Sequence, residues 1–299
     1  MNRQIAIGHL ACAATYTIFG INIVLCRDIA TDGGLSPMVL FTMRAVVAGS
    51  LFWLASLIVP RERISKPDLL RVAGAAVLGI FLPQLTFLYA ISMTAPVDLS
   101  VINTITPIIT MFAAAIFLKE PITFKKAGGV AVSFAGIVWL ILQSVAIGGG
   151  ASATRPLGVL LCIANSTIFA LYLSTCRPLT ARYSSITLMK WMFLISFFLS
   201  LPFTLPQLPA TDFAAVPVKV WWEVGFLIFF ATFIAYFLIP VGQQRIRPTL
   251  VSMYGYLQPI IAIFIAISTG MDTLTVTKLA AALMVFAGVW LVNQSRAAA

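Results

Sequence analysis

The sequence has few charged residues, since only 9% of its 299 positions are Asp, Glu, Lys or Arg. A soluble domain carries roughly 25%, so this chain could not cover its surface with polar groups in water. It is instead 61% hydrophobic, with a mean hydropathy of +1.03. Apolar runs long enough to cross ~30 Å of hydrocarbon recur from end to end. The composition predicts an all-α integral membrane protein.

Residues that carry chemistry are also scarce. The sequence contains one histidine, His9, and its nine acidic residues all fall in predicted loops or at span ends. It has no HExxH motif, no Gly-rich phosphate loop and no Ser-His-Asp set, and its four cysteines have the character of small apolar packing residues. We therefore expect no catalytic residue, no metal site and no cofactor. The placement of the acids also argues against a buried carboxylate relay for proton coupling.

The apolar runs predict ten transmembrane spans, separated by breaks that hold Pro, Gly and charge. The predicted spans are 5–30, 35–59, 69–92, 97–118, 126–145, 156–176, 185–202, 224–243, 249–269 and 275–293. With the N-terminus in the cytoplasm, most Lys and Arg residues fall on the cytoplasmic side, and only Arg27, Arg155, Lys219 and Lys278 fall on the other. The net charge of +10 therefore indicates topology and not a nucleic-acid partner. We expect a bacterial inner-membrane protein with both termini in the cytoplasm.

An internal repeat divides the chain. "CAATYTIFGINIVLCR" (12–27) returns as "CIANSTIFALYLSTCR" (162–177), and residues 96–136 align with 248–288 through shared Pro, Lys and Gly positions. The alignment predicts two repeats, residues 1–150 and 151–299. Each holds five spans, an odd number, so the second repeat begins on the opposite side of the membrane and runs inverted. Inverted repeats are typical of alternating-access transporters, although duplicated channels and membrane enzymes also exist.

Several stretches resemble the EamA-type transporters of the drug/metabolite transporter superfamily. They are "FGINIVLCRDI" in span 1, "MVLFTMRAVVAGSLFWL" in span 2, and "DLSVINTITPIITMFAAAIFLKEPIT" (98–123) followed by "KAGGVAVSFAGIVWLI". The resemblance covers essentially the whole chain. It implies export or exchange of small metabolites, often amino acids, through a central cavity lined by spans 1, 3, 4, 6, 8 and 9. The chain has Phe19 where the family usually has Trp, and Met192 beside Trp191 where a Trp-Gln pair is common. The resemblance therefore does not identify the substrate.

Two prolines indicate where the candidate cavity lies in the sequence. Pro107 in span 4 and Pro259 in span 9 each lack an N–H and free the carbonyl four residues earlier, on Asn103 and Gly255. Freed backbone groups in hydrocarbon must be satisfied by protein, water or ligand. Amide and phenol side chains near these kinks, or at matched positions of other spans, can hold a polar zwitterion without burying a fixed charge. The predicted substrate-binding residues of this kind are Tyr16, Asn22, Gln84, Asn103, Thr106, Asn165, Tyr172, Tyr236, Tyr254 and Gln258. The alternative is hydrogen bonding between helices.

Arg44 is the most costly residue of the predicted spans. A cation near mid-membrane costs about 2.5–3.5 kcal/mol unless it is partnered, and no mid-span Asp or Glu is available to pair with it. Two roles remain open for Arg44. It either binds backbone carbonyls as a structural residue or meets a substrate carboxylate.

Small residues form matching stripes on spans 5 and 10. The stripes are Gly129, Ser133 and Gly136 on span 5, and Ala281, Val285 and Gly288 on span 10. Such stripes let helices approach closely, so these spans should pack together at the periphery, where they could also support a homodimer.

The sequence as a whole predicts a secondary transporter that exports or exchanges a small neutral or zwitterionic metabolite, with amino acids as the leading class. Its partners would be that small molecule and membrane lipids. A polytopic enzyme acting on a lipid-linked substrate would need His, Asp and Arg clustered at one membrane face, which this sequence lacks. A passive channel is the other alternative, and it would show no counterflow.

Overall fold

The computed structural model describes residues 3–119, 123–146, 155–269 and 275–293. Within these ranges the chain is helical and contains no strand, which confirms the all-α class. Ten helical segments each overlap one predicted span. They are α1 (Arg3–Asp32), α2 (Pro37–Ala55), α3 (Lys66–Met93), α4 (96–118), α5 (Phe124–Ala146), α6 (Pro156–Thr175), α7 (Ser185–Thr204), α8 (Val218–Gln243), α9 (248–268) and α10 (Val276–Asn293). A short helix, Arg177–Arg182, connects α6 to α7.

Seven of the helices in the described ranges are long and apolar enough to cross a membrane. They are α1, α2, α3, α6, α7, α8 and most of α9, and a shorter apolar stretch, Asn103–Phe117, lies in α4. The protein is therefore an integral membrane protein of helices, while the number of ten crossings stays a prediction.

Serine caps fix where three of the helices begin. The hydroxyl oxygens of Ser36, Ser65 and Ser184 each accept a hydrogen bond from the backbone N–H three residues later, at the starts of α2, α3 and α7. An N-cap of this kind satisfies one of the orphan N–H groups of the first turn. Ser36 and Ser184 lie at corresponding places in the two halves of the chain, before the second helix of each.

Contacts between helix ends show how α1 and α6 are oriented. Arg27, near the end of α1, donates from Nη1 to the carbonyl oxygen of Ile91 at the end of α3, at 2.8 Å. The backbone N–H of Arg155, just before α6, donates to the carbonyl oxygen of Met93 at 2.9 Å. The end of α1 and the start of α6 therefore lie at the same face, so these two helices run in opposite directions. This agrees with the inverted relation expected of five-span halves, while the boundary at residue 150 stays a prediction.

The two halves exchange their first helices. α1 packs against α8 and α9 of the second half, and α6 packs against α3 and α4 of the first. Gly20 allows the close approach of α1 to α9, because a Cβ at this position would lie only 2.7 Å from Cβ of Ile261. The remaining helices pair with their counterparts, α2 with α7 and α5 with α10.

The α5–α10 contact confirms the predicted packing where the small residues meet. A Cβ on Gly288 would lie 2.1 Å from Oγ of Ser133 and 2.3 Å from the carbonyl oxygen of Gly129. Gly136 is also buried. The side chains of Ala281 and Val285 lie outside the described residues. The homodimer stays a prediction.

Four of the helices depart from α geometry near their middles. The departures are π turns at Val77–Phe81 in α3 and Leu227–Ile234 in α8, and 3-10 turns at Asn103–Ile105 in α4 and Tyr254–Tyr256 in α9. Both 3-10 turns end shortly before the prolines that the sequence analysis identified, Pro107 and Pro259, because a proline cannot donate the next helical hydrogen bond. The two 3-10 turns contribute Asn103 and Gly255 to the lining of the candidate site.

Candidate functional site

A cavity lies between α1, α3, α4, α6, α8 and α9, beside the breaks in the helices. Its volume is about 80 Å³, counted as the space open to the centre of a water-sized sphere. This is room for several waters or a small solute. Its lining consists of Tyr16, Phe19, Asn22, Ile23, Pro83, Gln84, Phe87, Asn103, Thr106, Asn165, Phe169, Tyr236, Ser252, Gly255 and Gln258.

Eight of the eleven predicted substrate-binding residues lie in this lining. They are Tyr16, Asn22, Gln84, Asn103, Thr106, Asn165, Tyr236 and Gln258. Tyr172, Tyr254 and Arg44 do not line the cavity. The structure thus brings together side chains from both halves, and their role in binding stays a prediction.

The predicted site did not include the apolar part of the wall, chiefly Phe19, Ile23, Phe87 and Phe169. A signal for two of them was present, because Phe19 and Phe169 occupy the same position of the doubled sixteen-residue stretch. Aromatic residues in a membrane span attract little notice, since their usual role is packing against neighbouring helices. Repetition at equivalent positions beside polar residues is the feature that would have identified these two.

A hydrogen bond crosses the cavity wall between the two halves. Nε2 of Gln84 in α3 donates to the hydroxyl of Tyr236 in α8 at 2.7 Å, and the two residues are equivalent positions of the repeat. The ring of Tyr236 is held edge-on by Phe19 and Phe193, with centroids 6.0 and 5.4 Å away. This bond therefore ties α3 of the first half to α8 of the second.

Two polar atoms of the lining are buried without a hydrogen-bond partner in the described part of the chain. They are the hydroxyl of Tyr16 and Oε1 of Gln84, on residues that are 3% and 8% exposed. An unsatisfied buried polar group costs about 1–3 kcal/mol, and native structures seldom tolerate one without a reason. A bound molecule that accepts a hydrogen bond from one and donates to the other would satisfy both.

Other amides of the lining already have partners within the protein. Nδ2 of Asn165 donates to the carbonyl oxygen of Pro83 at 2.6 Å and to Oγ1 of Thr86 at 3.2 Å. Oγ of Ser166 donates to Oδ1 of Asn103 at 3.3 Å. These bonds join α6 to α3 and to α4, so Asn165 and Asn103 hold the wall in shape.

The lining contains no charged side chain among the described residues. Its apolar parts are aromatic or branched, and its polar parts are amides and hydroxyls. A molecule with an uncompensated charge would lose its hydration there without gaining a counter-ion. The cavity therefore fits a neutral or net-neutral molecule that also carries an apolar portion.

Tyr172 and Tyr254 serve helix packing. The ring of Tyr172 covers Gly79 in the π turn of α3, where a Cβ would lie 2.6 Å from it, and it stacks on Phe169 with centroids 5.9 Å apart. The hydroxyl of Tyr254 and Nδ1 of His9 lie 2.7 Å apart, which joins α9 to α1. Both tyrosines stand behind or beyond the cavity wall.

Arg44 is buried away from the cavity, with 1% of its surface exposed. Its Nε donates to Oγ1 of Thr232 at 2.8 Å, and Thr232 in turn donates to the carbonyl oxygen of Leu227 at 2.7 Å. The residue thus reaches the backbone of the π turn through a hydroxyl, whereas its Nη1 and Nη2 atoms have no hydrogen-bond partner among the described residues. The role of Arg44, structural or towards a substrate carboxylate, stays a prediction.

Two acidic residues that the sequence placed in loops or at span ends are buried where α1 ends and α8 begins. Asp28 in α1 and Glu223 in α8 are 6% and 8% exposed, and Nζ of Lys219 lies 2.5 Å from Oδ2 of Asp28 and 3.5 Å from Oε1 of Glu223. The reason is that α8 begins at Val218, earlier than the predicted span at 224, so Glu223 lies inside the helix.

The opposite face of the protein is held by a network between two connections. Oδ2 of Asp68 accepts from Nη1 of Arg182 at 2.7 Å and from the hydroxyl of Tyr183 at 2.8 Å. Glu62 accepts from the backbone N–H and the hydroxyl of Ser184 at 3.0 and 2.8 Å. Burial acts to raise the pKa of Glu62, but these hydrogen bonds prevail and lower it. The network joins the start of α3 to the segment between α6 and α7.

The model of the EamA-like transporter family matches the chain twice, over residues 6–142 and 156–294. An uncharacterized transporter of Archaeoglobus fulgidus is 26% identical over 267 residues, covering 88% of this chain and 90% of that protein. The uncharacterized transporter YyaM of Bacillus subtilis is 24% identical over 225 residues, covering 71% and 69%. A solved crystal structure with 18% identity superposes with a TM-score of 0.71, covering 94% of this chain and 98% of that one, which shows the fold alone.

Proposed function

Because the chain belongs to the EamA-like transporter family, we propose that it is a secondary transporter for a small neutral or zwitterionic metabolite, with amino acids as the first class to test. It exports or exchanges this molecule across the bacterial inner membrane by alternating access. The observation that carries the proposal is the pair of unsatisfied atoms in the cavity wall, the Tyr16 hydroxyl and Oε1 of Gln84. They provide one hydrogen-bond donor and one acceptor, and no fixed charge accompanies them.

The apolar wall supports an amino acid with an apolar side chain. Phe19, Phe87 and Phe169 offer ring surface. The Tyr16 hydroxyl can donate to a carboxylate, and Oε1 of Gln84 can accept from an ammonium of the same molecule. A molecule with no net charge keeps the cost of entering a low-dielectric site small. The limited volume favours a solute of few heavy atoms.

The breaks in α4 and α9 supply hinges for alternating access. Each 3-10 turn precedes a proline, and the two turns flank the cavity at equivalent positions of the repeat. α1 moves with α8 and α9, and α6 moves with α3 and α4, since these are the groups that pack together. Rocking of one group against the other would expose the cavity to each side in turn.

The test is counterflow in proteoliposomes. Vesicles holding the purified protein are loaded with one unlabelled compound, and entry of its labelled form is followed over time, for neutral amino acids, charged amino acids and polyamines. We expect a transient overshoot with one or more neutral amino acids and none with singly charged compounds or polyamines. A passive channel gives equilibration without overshoot, and a membrane enzyme gives labelled product without accumulation. Either result would overturn the proposal.

A further inference from the structure

The carboxyl groups of Asp28 and Glu223 form a site that the transport cavity does not use. Nζ of Lys219 lies within 3.5 Å of an oxygen of each carboxyl group, and their side chains are 8% and 10% exposed. Lys219 is the only cation that pairs with them among the described residues, and its side chain is 67% exposed. Two carboxylates and one ammonium leave one negative charge in excess in a largely buried place.

A shared proton explains this geometry. Oε2 of Glu223 is buried and has no hydrogen-bond donor among the described residues, and the carboxyl of Asp28 pairs with the same lysine as Glu223 does. Two carboxylate groups can hydrogen-bond to each other only when one of them carries a proton. When both are ionised, their like charges repel and destabilise the pair. Adding one proton to the pair forms an O–H bond, satisfies the orphan oxygen and brings the net charge of the three groups to zero.

We propose that Asp28 and Glu223 bind one proton between them and couple its movement to transport. The site is at the junction of α1 and the start of α8, two helices from different halves that move together against α3, α4 and α6 in the proposed alternating access. Water reaches it beside Lys219, at the face where α1 ends and α8 begins. The ligand is a proton taken from and returned to water, so no further reactant is needed.

A connection leads from the pair to the substrate cavity along α1. Sγ of Cys26 donates to Oδ1 of Asn22 at 3.6 Å, and Asn22 lines the cavity. The same thiol is close enough to Glu223 and to Arg44 to experience both of their charges. Protonation of the pair therefore changes the field at a residue one helical turn from the cavity lining.

Arg44 is a further buried charge near this junction, since it acts on the same Cys26 thiol as Glu223 does. It contacts the π turn of α8 through Thr232. Other ionisable groups of α1, α2 and α8 near the pair are Cys26, Arg27 and Lys219, and Arg27 is occupied by the carbonyl oxygen of Ile91. When the proton leaves, the three groups Asp28, Glu223 and Lys219 again carry one excess negative charge beside these residues.

Proton binding is tested without any substrate, so this part does not depend on the proposed function. Infrared difference spectra of the purified protein are recorded between about pH 5 and about pH 9, a range in which isolated Asp and Glu are ionised. We expect the carbonyl stretch of a protonated carboxyl in the wild-type protein and in Asp32→Asn, whose exposed acid lies one turn from Asp28. The band should be lost in Glu223→Gln. A band that is absent from the wild type, or unchanged in Glu223→Gln, would overturn the proposal.

Coupling is tested in the same vesicles as counterflow, and it rests on the proposed function. We expect an imposed pH gradient to drive accumulation of the substrate by the wild type and by Asp32→Asn. Glu223→Gln and Asp28→Asn should retain counterflow, which needs no net proton movement, and lose the response to the gradient. Wild-type counterflow that ignores the gradient overturns proton coupling alone, whereas absence of all counterflow overturns the transporter itself. If Glu223→Gln does not fold, Asp28→Asn and the wild-type spectrum still decide the matter.

Discussion

The hydrogen bond between Gln84 and Tyr236 makes a prediction that a double-mutant cycle can measure. Tyr236→Phe removes the hydroxyl and retains the ring between Phe19 and Phe193. Nε2 of Gln84 then loses its acceptor, and because its Oε1 already has no donor, the whole amide is left unpaired at 8% exposure. An unsatisfied buried group costs about 1–3 kcal/mol, so this single change should lower the free energy of unfolding by about that much.

Gln84→Met removes the amide and leaves the hydroxyl of Tyr236, a residue that is 5% exposed, without its hydrogen-bond donor. We expect a loss of similar size, about 1–3 kcal/mol. The double variant carries neither polar group, so its loss should be smaller than the sum of the two single losses by about 1–2 kcal/mol. Pairs in contact show coupling energies of this order, although hydrogen bonds between membrane helices are often nearer 0.6 kcal/mol.

The assay is the free energy of unfolding of each purified variant in detergent or bicelles, from denaturant titration. Tyr89→Phe serves as the control, because Tyr89 is a half-buried tyrosine of the same helix that does not line the cavity, and it should change the free energy by less than about 0.5 kcal/mol. Strict additivity of the two single variants would refute the reasoning, since it would mean that the two side chains do not depend on each other.

Three further predictions concern other parts of the protein. Gly288→Ala should lower the free energy of unfolding by about 1–3 kcal/mol through overpacking against Ser133. Gly128→Ala is the control, because nothing lies within 4 Å of its added Cβ, and it should be neutral or slightly stabilising. Equal effects of the two variants would contradict the close contact of α5 and α10. Arg44→Met should leave substrate affinity unchanged, because Arg44 does not line the cavity, and a loss confined to carboxylate-bearing substrates would place it in the site. Glu62→Gln should flatten the dependence of melting temperature on pH below about pH 5. Because the pKa of Glu62 is lowered in the folded protein, its carboxylate stabilises the fold at pH values above the pKa of the unfolded state, and this stabilisation is lost on acidification. A melting temperature that falls as steeply with acid in the variant as in the wild type would contradict this.

The repeat and the prolines carried most of what the sequence could predict. Pro107 and Pro259 indicated where two helices must break, and the breaks occur just before them. Polar residues near those breaks could then be assigned to one cavity, because a freed carbonyl in hydrocarbon needs polar neighbours. The π turn of α8 was not predictable in this way, since it contains no proline. Its own Thr232 donates to the carbonyl oxygen of Leu227 and accepts from Arg44 of α2, and such a contact between helices is not visible in the sequence.

Contacts between distant helices account for what the sequence could not show. Asp28 and Glu223 are far apart in the chain, and only the packing of α1 against the start of α8 brings them together. The two predicted tyrosines outside the lining illustrate the same limit. Tyr172 and Tyr254 have the right residue type and depth, but their rings turn towards Gly79 and His9, and rotation about a helix axis is set by its neighbours.

Equilibrium binding of the counterflow substrate to Tyr16→Phe, measured together with the melting temperature, tests the central claim most directly. The Tyr16 hydroxyl is buried without a partner, so its removal should raise the melting temperature of the substrate-free protein and weaken substrate binding about two- to tenfold, while Tyr89→Phe changes neither. Opposite changes in stability and affinity are what a ligand-binding atom predicts. A Tyr16→Phe variant that binds substrate as tightly as the wild type would contradict the assignment of this cavity as the transport site.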